Sequence, residues 1–205
     1  AITETAAETF ETQGQILVPF PLESSLSGVG KRITKGDAIW YEREFTVPKK
    51  WKGKNVLLHF GAVDWQTEVF VNDQLVGEHR GGYDPFSFDI TPYLKKSGSQ
   101  NLKVKVQDAT DNGFQPRGKQ CIISSGIWYT PVSGIWQTVW LEPVSAAYVE
   151  NYYVVSDIDN ATMTFEVSVQ TDEGDVVKVA VLEGGEGYSA EKPSQNIIAE
   201  AVVEN

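Results

Sequence analysis

The chain has 205 residues, enough for one large or two modest domains with a buried hydrophobic core. Hydrophobic residues at 41 % and charged residues at 22 % are ordinary for a folded, soluble chain, and a net charge of -11 would repel nucleic-acid phosphates or an anionic membrane surface, so no nucleic-acid partner is expected. No stretch approaches the ~20 consecutive apolar residues of a membrane span, and Ala1 to Phe10 lack the basic start and apolar run of a signal peptide.

Short runs of alternating apolar and polar residues, separated by turn formers, predict strands from the N-terminal part onward. Ile39 to Val47 places Ile39, Tyr41, Phe45 and Val47 on one face, with Arg43 in the same set. A core-facing guanidinium needs a carboxylate or carbonyls to offset its desolvation, so a structural ion pair is expected at Arg43. His59 lies in the apolar run Val56-Leu57-Leu58-His59-Phe60 and reads as a satisfied, half-buried histidine rather than a catalytic base. Val69, Phe70 and Val71 lead into Asn72-Asp73, after which Leu75 and Val76 resume, which predicts a hairpin turning at residues that tolerate positive φ. His79 follows that hairpin, where a surface place is as well supported as a half-buried one. Gly81-Gly82 precedes neither a helical pattern nor a Lys-Ser/Thr pair and therefore reads as turn glycine, not a phosphate-binding loop.

Phe86, Phe88 and Ile90 keep a period of two. The clearest strand sets Leu102, Val104 and Val106 against Lys103, Lys105 and Gln107, with one wet face. Cys121, the single cysteine, can form no internal disulfide and reads as a free core or loop thiol; with two histidines it offers no zinc-ligand spacing, so no metal or other cofactor is expected in this chain. The densest aromatic stretch runs from Ile127 to Pro143 and includes Trp128, Tyr129, Trp136 and Trp140. It suits a packed sandwich core or a platform on which a sugar ring stacks.

No tryptophan follows Leu141, and the tail becomes valine-rich, with Met163, Phe165, Val167 and Val169 alternating with Thr164, Glu166, Ser168 and Gln170. The change in character sets a domain boundary near residue 145, giving domains at 1–144 and 145–205. The tail holds about four strand-like runs, short of the seven or so in ~100 residues of an immunoglobulin-like sandwich, so it reads as an incomplete domain. Glycoside hydrolysis uses two carboxylates on a rigid frame, yet Asp64, Glu68, Asp84, Asp89, Asp108 and Asp111 show no pattern that singles out a pair, and most such residues are solvated.

Several segments in order carry a resemblance: Ile16-Leu17-Val18-Pro19-Phe20, Trp40-Tyr41-Glu42-Arg43-Glu44-Phe45-Thr46-Val47-Pro48, Phe60-Gly61-Ala62-Val63-Asp64-Trp65, Val71-Asn72-Asp73, Gly81-Gly82-Tyr83 with Pro85-Phe86, Asp89-Ile90-Thr91 and Ser133-Gly134-Ile135-Trp136-Gln137. Together they resemble the N-terminal sugar-binding-like domain of family 2 glycoside hydrolases, the family of β-galactosidases, β-glucuronidases and β-mannosidases. The resemblance covers about residues 10 to 144 and implies an all-β chain: a jelly-roll sandwich followed by the start of an immunoglobulin-like sandwich. In the family a (β/α)₈ barrel comes next, with a glutamate acid/base and a glutamate nucleophile for a retaining mechanism. Nothing in this sequence matches the barrel, so neither glutamate is assigned and the chain is expected to be catalytically silent by itself.

In some members the first domain lends an acidic residue to the rim of the barrel's active site, from the loop after the strand matching Leu102 to Gln107. Asp108 is the matching position; Asp111 is the alternative, because the Ala109-Thr110-Asp111-Asn112-Gly113 loop departs from the family pattern. The resemblance implies that this residue accepts a hydrogen bond from a sugar hydroxyl or helps bind a cation beside the sugar in the parent enzyme. The alternative role is an ordinary turn-capping aspartate. Implied partners are carbohydrate and the parent's barrel, implied chemistry the hydrolysis of terminal β-glycosides as in a β-galactosidase, and implied location the periplasm or the exterior. An independent carbohydrate-binding module is the competing reading and calls for exposed Trp65, Trp128 or Trp136. A cell-surface adhesion sandwich fits the architecture but leaves the motif order unexplained.

Overall fold

The computed structural model describes residues 14–171, 175–183 and 197–204. The chain divides into two compact units, Ala1–Val144 and Ser145–Asn205.

The first unit is a β-sandwich. One sheet has the order β1-β7-β4-β5, built from β1 (Ile39–Phe45), β7 (Gln100–Gln107), β4 (Gln66–Val71) and β5 (Gln74–Arg80). The other has the order β6-β2-β9, from β6 (Phe86–Asp89), β2 (Asn55–Phe60) and β9 (Val139–Val144). A short pair, β3 (Val63–Asp64) with β8 (Gly134–Ile135), sits apart from both. All named pairings are antiparallel, and sequence-distant strands become neighbours, as in a jelly roll.

Period-two patterning builds the core. Val104 and Val106 of β7, with Val69 and Val71 of β4, turn inward against Val56, Leu58 and Phe60 of β2. The outer face of the first sheet is wet, as the alternation in β7 predicts: Lys103 pairs with Asp73 at 2.7 Å and Lys105 with Glu68 at 2.9 Å. Asn72 and Asp73 take φ of 51° and 64° in the β4–β5 turn, as expected of a hairpin with two left-handed residues.

Arg43 differs from expectation. It lies exposed opposite Leu102, and among the described residues it makes no ion pair. β1 is an edge strand of its sheet, so a long cationic side chain there can keep its charged end in water while its stem covers the sheet. His59 is half-buried, as its surroundings predict: it stacks on Trp140 at 4.8 Å, Nδ1 lies 2.6 Å from the Ser87 hydroxyl, and Nε2 lies 3.0 Å from Glu142 without hydrogen-bond geometry. His79 is half-buried, stacked on Phe86 at 4.0 Å.

The second unit holds two antiparallel pairs, β10 (Tyr148–Asp157) with β11 (Thr162–Gln170), and β12 (Val176–Leu182) with β13 (Ile197–Glu204). The β10–β11 turn is closed by Asp157, whose carboxylate accepts from the backbone N–H groups of Asp159 and Asn160. No helix among the described residues is long and apolar enough to cross a membrane.

Candidate functional site

Four strands meet at one end of the sandwich. β7 delivers Asp108 as its first loop residue, Gln66 at the start of β4 is paired with Gln107 at the end of β7, and β3 pairs Asp64 with Gly134 of β8. The β8 pairing also brings Ser133 against Asp108.

Asp108 is 4 % exposed, and its carboxylate is held from several directions. Oδ1 accepts from the Thr110 backbone N–H at 2.7 Å and from the Gln115 amide at 3.2 Å; Oδ2 accepts from the Ser133 hydroxyl at 2.8 Å and from the Thr110 hydroxyl at 3.4 Å. The first contact is an Asx turn, the capping role that aspartates take in loops. It holds Thr110, a β-branched residue, at φ 54°, a left-handed conformation that such residues rarely adopt.

Asp111 does different work. Its side chain accepts from the Ile122 backbone N–H at 3.0 Å and the Cys121 thiol at 3.2 Å, while its backbone carbonyl accepts from Arg117 at 2.8 Å. The Ile122 N–H, followed by the thiol, lowers the Asp111 pKa below the usual carboxylate value. Asp111 therefore ties the two limbs of the loop together. Cys121 is a free loop cysteine, as its isolation predicts.

Outside Asp108 lies a groove of ≈ 350 Å³, at the small end of ligand-sized pockets. Trp65 and the fully exposed Phe114 give it aromatic walls, Gln66, Gln107, Asn112 and Gln115 supply amides, and Lys35 is its single cationic lining residue. Apolar ring faces beside amides and a carboxylate match the alternating C–H and hydroxyl character of a sugar. Asp111 is not part of this lining.

Behind the groove sit two further acids that sequence reasoning did not single out for a site. Asp64, 3 % exposed, lines a crevice with Asp108, Gln115, Arg117 and Gln120, and its one side-chain hydrogen bond comes from the Gln120 amide at 3.2 Å. Burial, and then the charge of Asp108, push its pKa up to about 7. Glu23 accepts from the Ser133 backbone N–H at 3.0 Å, and burial raises its pKa as well. For Asp64 the sequence did hold a signal, a carboxylate inside Ala62-Val63-Asp64-Trp65 on a two-residue strand; Glu23, in an irregular stretch, gave none.

Both oxygens of Asp108 already take donors, and no group of three His, Cys, Asp or Glu among the described residues is placed to hold an ion. The tryptophans divide. Trp128 is 42 % exposed with the Arg117 guanidinium 6.0 Å from its ring centre, whereas Trp65 and Trp136 are half-buried, and Trp136 donates to the Gly82 carbonyl at 2.8 Å. The stretch is divided: Ile135 joins the core, while Ile127, Trp128 and Tyr129 face solvent.

A family profile described as "Glycosyl hydrolases family 2, sugar binding domain" matches residues 18–145. The chain is 35 % identical over 134 residues to a β-galactosidase of Thermoanaerobacter pseudethanolicus, covering 64 % of this chain and 17 % of that one. It is 34 % identical over 136 residues to a β-galactosidase of Bacteroides ovatus, covering 65 % and 14 % respectively. Among solved structures it is similar to a β-glycosidase from Bacteroides vulgatus, with 31 % identity and a TM-score of 0.55 over 69 % of this chain and 17 % of that chain. It is also similar to a β-glucuronidase from Ruminococcus gnavus in complex with D-glucuronic acid, with 25 % identity and a TM-score of 0.62 over 82 % and 29 %. The chain spans about a sixth of the length of these two curated relatives.

Proposed function

This chain belongs to family 2 of the glycosyl hydrolases through its sugar-binding domain, and on that premise we propose that it is the N-terminal, non-catalytic part of a longer β-glycosidase of β-galactosidase type. In that role it packs on a catalytic barrel and frames the pocket for terminal β-glycosides, with residues 145–205 forming the start of an immunoglobulin-like sandwich. The observation that carries the reading is the groove of ≈ 350 Å³ walled by Trp65 and Phe114 with Asp108 at its floor, on the domain that the family profile matches.

Asp108 keeps its two short contacts, to the Thr110 N–H and the Ser133 hydroxyl, and accepts a sugar hydroxyl in place of a longer one, the Gln115 amide at 3.2 Å or the Thr110 hydroxyl at 3.4 Å. Asp111 holds the loop that presents Gln115. Replacing Asp108 by Ala in the full-length enzyme is expected to lower kcat/KM for a β-galactoside about tenfold or more, the cost of leaving a sugar hydroxyl's partner unmade. Unchanged kcat/KM refutes the role of Asp108, and genuine glycosidase turnover by the pure 205-residue chain refutes the non-catalytic reading.

The exposed Trp128 favours a second reading, an independent carbohydrate-binding module. Tryptophan fluorescence of this chain titrated with β-glycosides and polysaccharides separates the two. A saturating response supports the module, and silence up to ~10 mM, about -2.7 kcal/mol, leaves the framing role.

A further inference from the structure

The acids behind the groove are joined by a continuous path through one strand-like segment. The Gln120 amide donates to Asp64 Oδ2, and the Val132 backbone N–H donates to Gln120 Oε1. The next residue, Ser133, is fully buried and serves two carboxylates at once, its N–H donating to Glu23 and its hydroxyl to Asp108. Among the described residues no Lys, Arg or His forms an ion pair with Glu23, Asp64 or Asp108.

Two cations lie nearby, Lys35 on the groove and Arg117 on the crevice, and neither forms an ion pair with the three acids. Arg117 is directed at the Asp111 carbonyl and the Trp128 ring rather than at a carboxylate of the network. The Tyr83 hydroxyl meets the Gln120 amide at 3.4 Å, and Tyr41, which accepts from the Ile135 N–H, is held neutral by its burial. Asp84 and His79 lie beyond Gly81 and bear on each other. Three carboxylates, two of them almost wholly buried, without a paired cation cannot all carry charge at neutral pH. The donors decide which one keeps a proton. Asp108 has two short donors and Asp64 a single amide, and the wall of Gly82 lies so close that a Cβ there would stand 2.6 Å from Asp64 Oδ1, leaving no room for a hydrating water on that side.

We propose that Glu23, Asp64 and Asp108 form one electrostatically coupled carboxylate network in which Asp64 is the member that holds a proton, so that Asp64 is a positioning residue for Asp108 at the groove. The proposal rests on the reading of Asp108 as the residue facing the sugar, and deepens it. Loss of the Asp64 proton places a second buried charge beside Asp108, which the single Gln120 amide offsets only in part, so the groove is in its working form below the pH at which Asp64 ionises.

The test is a carbon-detected NMR titration of the side-chain carboxyls of the 205-residue chain, in wild type and in Asp64→Asn, Asp108→Asn and Glu23→Gln. One aspartate carboxyl is expected to titrate near neutrality in wild type and to vanish in Asp64→Asn. Its midpoint is expected to fall by roughly half to one pH unit when either neighbour is neutralised, as removal of a like charge requires. Two neutralising variants on different elements keep the test alive if one does not fold. An Asp64 midpoint in the ordinary carboxylate range, or one unmoved in both neighbours' variants, overturns the proposal. The titration involves no sugar, so it stands or falls separately from the kinetics of Asp108→Ala.

Discussion

Asp64→Asn should stabilise the first unit, and by an amount that grows with pH. Burial raises this carboxyl from 3.8 to about 7, which at 1.36 kcal/mol per pH unit corresponds to about 4 kcal/mol at full development. The folded form binds the proton more tightly than the unfolded form, so the stability contributed by Asp64 is full below pH 3.8, declines as pH rises from there to about 7, and is flat above. Asparagine carries no proton to lose, so the variant escapes this decline. At pH 5 it should exceed wild type by about 1.5 kcal/mol, and at pH 8 by about 4 kcal/mol, an upper limit because water entry and relaxation soften a buried charge. Every tryptophan lies at or before Trp140, so urea unfolding followed by tryptophan fluorescence reads the first unit selectively. A stability gap that is the same at pH 5 and pH 8 would refute the reasoning, since it would mean that Asp64 is already ionised in the folded protein at both.

Thr67 is fully buried with its hydroxyl unpartnered, so Thr67→Val, nearly the same shape, should stabilise by about 1 kcal/mol in the same urea assay. Gly134 has φ 83°, and a Cβ there would collide with the Tyr41 hydroxyl; Gly134→Ala should cost more than about 2 kcal/mol and, by shifting β8, loosen Ser133 from Asp108. Gln115→Ala removes a donor that competes for Asp108 Oδ1, so in the full-length enzyme KM should fall about two- to tenfold with kcat little changed. A raised KM would show that Gln115 itself holds the sugar.

The sandwich was legible because its strands carry their periodicity in the residues themselves. Val104 and Val106 point inward and Lys103 and Lys105 outward whatever else the chain does, and Asn72-Asp73 takes up left-handed φ that few other pairs accept. Arg43 was misread for a related reason. Alternation gives the face of a strand but not the strand's place in the sheet, and only the order β1-β7-β4-β5 reveals that β1 is an edge where the core-side row can reach water.

The site was less legible because it is assembled by contacts that local patterns do not encode. The resemblance to family 2 glycoside hydrolases points to Asp108, in the loop after a recognisable strand, but its partners lie at Gln115 and Ser133, and Ser133 reaches it only because β8 pairs with β3. Glu23 is 110 residues from the Ser133 N–H that it accepts. What distinguishes Asp108 from the other acids is therefore not its residue type but its donors: two short contacts fix the carboxylate, and two longer ones leave it a margin for exchange. A carboxylate with only short contacts would be a structural cap, and one with none would be a mobile surface charge. Having both gives Asp108 a fixed direction and lone pairs that a hydroxyl can claim without rebuilding the loop, which is the preorganisation a sugar-facing rim needs.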